Sequence, residues 1–77
     1  MTEPDQELDL SGLNCPLPIL RTKKAIAQAS SGTVLRVIGT DPGSPREFRA
    51  FAEQGGFELL SVEEETRGRY VYLIRKP

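Results

Sequence analysis

The chain has 77 residues, 38% hydrophobic and 27% charged, and its ten basic and eleven acidic side chains leave a formal net charge of −1. A chain of this length buries only about 60% of its unfolded surface, which allows one domain and no large internal cavity. The near balance of charge argues against a dedicated nucleic-acid binder, and the composition is that of an ordinary globular domain rather than a disordered or fibrous one.

There is no histidine and a single cysteine, Cys15. A Cys/His zinc site, a Cys-His nucleophilic dyad, a Cys-x-x-Cys redox pair and an internal disulfide framework are therefore all impossible within one chain. The first residues are acidic and polar, and no apolar stretch approaches the roughly 20 residues of a membrane span. The expected location is the cytoplasm, where thiols stay reduced.

In chain order, residues 1–6 read as a flexible polar end and residues 7–77 as one folded domain. Glu7, Leu8, Asp9 and Leu10 alternate polar and apolar, which suits a short strand with both leucines on its buried side. Ser11-Gly12 turns the chain. Residues 16–30 then carry a helical pattern, with Ile19, Thr22, Ile26 and Ala29 on one stripe and Leu20 and Ala27 beside it. Ser31-Gly32 ends that helix, and residues 33–38, rich in β-branched side chains, predict a buried strand. Ser44, Pro45 and Glu47 match a capping box with proline in the first helical turn, and Phe48, Phe51 and Ala52 supply that second helix with an apolar face. Gly55-Gly56 stops it. Residues 57–65 and 69–75 read as two strands around a turn at Arg67-Gly68, an antiparallel hairpin.

The order βαβαββ predicts an α/β two-layer sandwich: a mixed four-stranded sheet with both helices on one face. Its first two strands are expected to be parallel, because a helix crosses between them.

Asn14-Cys15-Pro16-Leu17-Pro18 falls where the first loop becomes the first helix. Prolines lose nothing in an opening turn, whose N–H groups have no intrahelical partners. Cys15 is then expected as N-cap, its sulfur accepting from the N–H of Leu17 and favoured as thiolate by the helix dipole. Arg21, Lys23, Lys24 and Arg36 lie between Asp9 and Asp41 with no acid among them, which predicts a positive field around the sulfur. Read alone, such a cysteine is either a small apolar filler or a reactive thiol; composition favours the first and a helix start the second. The basic residues read either as a solvated helix face or as a docking surface for an acidic partner. The three phenylalanines read as core, and Glu63-Glu64-Glu65 as a solvated strand end. Neither GxGxxG nor GxxxxGK occurs, so nucleotide chemistry has no support.

Taken together, Leu10-Ser11-Gly12-Leu13-Asn14-Cys15-Pro16-Leu17-Pro18, the following Arg21-Thr22-Lys23-Lys24, the Thr40-Asp41-Pro42 turn and the ending Tyr72-Leu73-Ile74-Arg75-Lys76 closely resemble the TusA/SirA-like family of sulfur carriers. The resemblance spans nearly the whole chain, and Gly-Leu-x-Cys-Pro-x-Pro is its most selective part. It implies that Cys15 takes sulfur as a persulfide from a donor protein, such as a cysteine desulfurase or a rhodanese, and passes it to an acceptor protein. It further implies motif-supporting roles for Gly12, Pro16 and Pro18, no cofactor and no metal. Arg21 and Lys24 are the candidates for partner docking, and the carrier is expected to be a monomer that touches no nucleic acid directly.

The family feeds transfer-RNA thiolation, molybdenum-cofactor assembly, sulfur oxidation or thiosulfate uptake. Members serving transfer RNA tend to carry Glu between the prolines and Asp-Ile-Pro in the second helix. This chain has Leu17 and Glu47-Phe48-Arg49 there, nearer other branches. A lone cysteine suits a carrier, since no second thiol can discharge the persulfide internally. Two alternatives use the same residues: a non-catalytic module that binds a protein or nucleic acid through the basic face of the first helix, and a peroxide-sensing thiol.

Overall fold

A computed structural model describes residues 3–77. Its elements are β1 (Gln6–Leu10), α1 (Leu17–Gln28), β2 (Val34–Gly39), α2 (Ser44–Glu53), β3 (Glu58–Thr66) and β4 (Arg69–Arg75). The sheet order is β1-β2-β4-β3, with β1 parallel to β2 and the other two pairings antiparallel. The expected mixed sheet and terminal hairpin are therefore present.

The chain enters the sheet earlier than residue 7. Gln6 already pairs with Leu35, and Asp5 is tied on both sides, its N–H donating to the Val34 carbonyl at 2.7 Å and its Oδ2 accepting from the Val34 N–H at 2.9 Å. Of the expected flexible end, Met1 and Thr2 lie outside the described residues.

Alternation along the strands sorts the sheet into two faces. Leu35 and Val37 of β2 and Tyr72 and Ile74 of β4 meet Ile19 and Ile26 of α1 and Phe48 of α2 in a single core, so both helices cover the same face. At its centre Phe48 and Tyr72 are fully buried and stacked with ring centroids 4.0 Å apart, and Phe57 closes the cluster 5.7 Å from Phe48. Burying each such ring contributes on the order of 2–3 kcal/mol. On the opposite face no helix covers Val34, Ile38 and Val71, yet all three are buried. Around them run ion pairs of Arg36 with Glu7 and Glu65, Arg69 with Glu65, and Arg75 with Glu58, whose aliphatic stems shield apolar surface while the charged heads stay wet.

The helices depart from expectation at their edges. In α1 the buried positions are Pro18, Ile19, Thr22 and Ile26, whereas Leu20 is 50% exposed and Ala27 is exposed. Each residue turns a helix by about 100°, so these two lie a full step outside the stripe. The helix stops at Gln28, because Ala29 is already extended, and the Ile26 carbonyl accepts from both the Ala29 N–H at 3.1 Å and Lys76 Nζ at 2.8 Å. In α2 the N-cap is Gly43 rather than Ser44, and the cap residue itself supplies no side-chain hydrogen bond. Asp41 has taken over that work: its Oδ2 accepts from the Gly43 N–H at 3.1 Å and the Ser44 hydroxyl at 3.4 Å, and its carbonyl accepts from the Ser44 N–H at 3.1 Å. Glu47 is thereby released from the predicted capping box.

Candidate functional site

Parallel pairing of β1 with β2 brings the loops that follow both strands to one edge of the sheet, where both helices begin. Side chains separated by half the chain can meet there. The first loop leaves β1 through Ser11, whose N–H and hydroxyl both donate to Asp9 Oδ1, at 3.0 and 2.6 Å. These bonds hold the Asp9 carboxyl below its ordinary pKa. Gly12 follows with φ of +82°, a left-handed conformation that side-chain-bearing residues adopt only under strain. Its N–H donates to Thr40 Oγ1 at 2.8 Å and clamps the first loop to the one after β2. Leu13 packs against the core.

Cys15 comes next, exposed and free. It does not cap α1. The cap position belongs to Pro16, with no side-chain hydrogen bond, and the Leu17 N–H expected to reach the sulfur donates to the Asn14 carbonyl at 2.9 Å. The Cys15–Pro16 peptide is cis. Pro18, within the opening turn of α1, is buried, and its carbonyl accepts from the buried Thr22 hydroxyl at 2.8 Å. Gly12 thus lies in the loop before the thiol, and Pro16 and Pro18 at the start of α1 after it.

The electrostatics also depart from expectation. The Cys15 thiol donates to Glu47 Oε2 at 3.4 Å. That hydrogen bond, followed by desolvation and the negative charges of Glu47 and Asp41, pushes the thiol above its usual pKa. Two of the basic residues that predict a positive field are engaged elsewhere. Arg36 is ion-paired with Glu7 and Glu65 on the sheet face opposite the helices. Lys23 Nζ sits 4.5 Å over the Phe51 ring. Arg21 and Lys24 are exposed. The resting sulfur is therefore a thiol beside a carboxylate, rather than a thiolate at a helix dipole.

Glu47 is the residue that sequence reasoning missed, because its spacing from Ser44 assigned it to a cap. The Thr40-Asp41-Pro42 turn was the available signal: a second acid beside the cap competes for the same N–H groups. Glu47 also lines a shallow open groove of about 200 Å³ between the helices, together with Ile19, Lys23, Ala50, Phe51 and Gln54. Leu17 and Leu20, at the start of α1, are 42% and 50% exposed. Among the described residues no cluster of His, Cys, Asp and Glu could hold a metal ion, and no helix is long and apolar enough to cross a membrane.

Comparison with known proteins covers nearly the whole chain. Residues 6–76 match the family model described as "Sulfurtransferase TusA". The sulfur carrier protein TusA of Allochromatium vinosum is 59% identical over 76 residues, 99% of either chain. Its namesake in Pseudomonas entomophila is 44% identical over 72 residues, 94% of this chain and 89% of that one. Among solved structures, a SirA-like protein from Desulfitobacterium hafniense superimposes with a TM-score of 0.77 at 28% identity, covering 91% of this chain and 95% of the other.

Proposed function

The chain belongs to the TusA family of sulfurtransferases, and from that premise we propose that it is a sulfur carrier whose Cys15 holds the travelling sulfur as a persulfide. The observation that carries the reading is a single exposed thiol, set on a clamped loop at a helix start, with no other cysteine in the chain. A second thiol would collapse the persulfide into a disulfide and release the sulfur prematurely. Reduced thiols are needed throughout, which suits the cytoplasm.

Loading is an exchange at the donor's outer sulfur. Cys15 Sγ forms a bond to that sulfur as the donor's own S–S bond breaks. The donor's cysteine leaves with the electron pair and takes up the proton that Cys15 gives up, so a thiol and a persulfide exchange roles. The sulfur moves without change of oxidation state, and no oxidant or reductant is consumed. Delivery repeats the exchange with Cys15 as the leaving sulfur. Gly12, Pro16 and Pro18 keep the nucleophile at the surface, and Arg21 and Lys24 dock donor or acceptor proteins through acidic patches. The carrier works as a monomer.

Incubating the chain with a cysteine desulfurase and cysteine, and separately with a rhodanese and thiosulfate, tests the reading by intact mass. Gain of one sulfur atom's mass from either donor, absent in Cys15→Ala, is the expected result. No adduct from either donor, or an adduct that persists in Cys15→Ala, refutes it.

A further inference from the structure

The contact between Cys15 and Glu47 joins residues 32 positions apart in the chain, and sulfur carriage as such does not require it. We propose that Glu47 is a positioning residue for this chemistry, whose carboxylate anchors the Cys15 side chain against α2 and keeps the unloaded sulfur as a neutral thiol. This rests on the reading of Cys15 as the sulfur-bearing residue.

Three features of the site carry it. The carboxylate is half satisfied: Oε2 accepts from the thiol at 3.4 Å, while Oε1 is buried without any partner. The burial of Oε1 fixes which oxygen faces outward, so the one left to meet the thiol is Oε2. Among the described residues no cation lies within salt-bridge distance of Glu47. Lys23, which lines the same groove, places its ammonium over Phe51 instead. Finally, the carboxylate stands on a helix that cannot easily turn, since the adjoining Phe48 is fully buried against Tyr72.

The charged groups acting on the sulfur from the α2 side are thus Glu47 and, in the turn before the helix, Asp41, both negative. Two acids beside a thiol disfavour its anion. Spontaneous oxidation and stray exchange, both of which need the thiolate, are suppressed in the unloaded carrier. Loading reverses the relation. A persulfide is more acidic than its parent thiol, and its anion is repelled by the carboxylate that had accepted the thiol's hydrogen bond. The added sulfur is directed away from α2 toward solvent and the next protein.

The test is the pH profile of Cys15 alkylation by iodoacetamide on the full chain, compared among wild type, Glu47→Gln, Glu47→Ala and Glu47→Asp. Gln and Ala variants are expected to react on the order of five-fold faster at neutral pH, the size of one unit-charge contact at an exposed site, with midpoints displaced to lower pH. Asp, which retains the charge, should stay closer to wild type, an ordering that a purely structural role would not produce. Profiles of the Gln and Ala variants that coincide with wild type overturn the proposal. Should the variants unfold, the wild type still decides: the Glu47 carboxyl ¹³C shift must move at the midpoint of Cys15 ionisation, and its failure to do so is equally fatal. Alkylation uses no sulfur donor, so this result and the outcome of sulfur loading are read independently.

Discussion

Replacing Gly12 by alanine separates a backbone penalty from a packing penalty at the loop that carries Cys15. A Cβ built on Gly12 meets nothing within 4 Å, so space is not the constraint; the φ of +82° is. Holding an ordinary residue in the left-handed region costs about 1–2 kcal/mol, against which alanine recovers about 0.4–1 kcal/mol by restricting the unfolded chain. The net loss is on the order of 1 kcal/mol, which for a domain of this size lowers the melting temperature by about 4–8 °C. Asparagine enters the left-handed region far more readily, so Gly12→Asn should lose less than half as much.

The Gly12 N–H also donates to Thr40 Oγ1 at 2.8 Å, and Thr40→Val should cost about 0.5–1.5 kcal/mol for that bond. Because both substitutions loosen one loop, the double variant should lose less than the sum. Thermal unfolding followed by circular dichroism reads the four variants against wild type. An alanine variant as stable as wild type, or an asparagine variant as damaged as the alanine one, refutes the reasoning.

Phe48→Ala removes the ring at the centre of the core and should cost about 3–5 kcal/mol. That is a large share of the roughly 4–12 kcal/mol available to a chain of this length, so denaturant titration should find it partly unfolded in buffer. Tyr72→Phe deletes a buried hydroxyl that has no partner, the neighbouring Ser44 hydroxyl being directed at Asp41; the variant should equal wild type in stability or exceed it by up to about 1 kcal/mol. Burial pushes the Tyr72 phenol well above its usual range. Its contribution is therefore complete below the ordinary phenol pKa near 10 and is lost as pH rises beyond it. Wild type should weaken more steeply than Tyr72→Phe in strongly alkaline denaturant titrations. Reversing charge at the exposed Arg21 and Lys24 should leave stability within about 0.5 kcal/mol, yet slow sulfur uptake from a donor protein, with a difference that shrinks as salt is added.

The architecture was largely legible in the sequence because its signals are local. The β-branched run of β2, the glycine stops after each helix and the Arg67-Gly68 turn each act within a few residues. What escaped depends on contacts across the chain. The early start of β1 requires Asp5 to find Val34. Leu20 and Ala27 flank the predicted stripe, and whether such flanking positions are covered is set by the sheet beneath. Ser44 and Glu47 have the spacing of a capping box, but Asp41 binds the Gly43 N–H and the Ser44 hydroxyl. Freed of that role, Glu47 reverses the expected electrostatics of Cys15. Periodicity cannot reveal such a pairing, because it joins residues 32 positions apart.

The most direct test of sulfur carriage is fragment mass mapping of the chain after loading by a donor, removal of that donor and capping with an alkylating reagent. The account predicts that the extra sulfur lies between Cys15 Sγ and the cap, and that it disappears when an acceptor thiol is supplied before capping. Sulfur found on any other residue, or sulfur on Cys15 that no acceptor can withdraw, would contradict it.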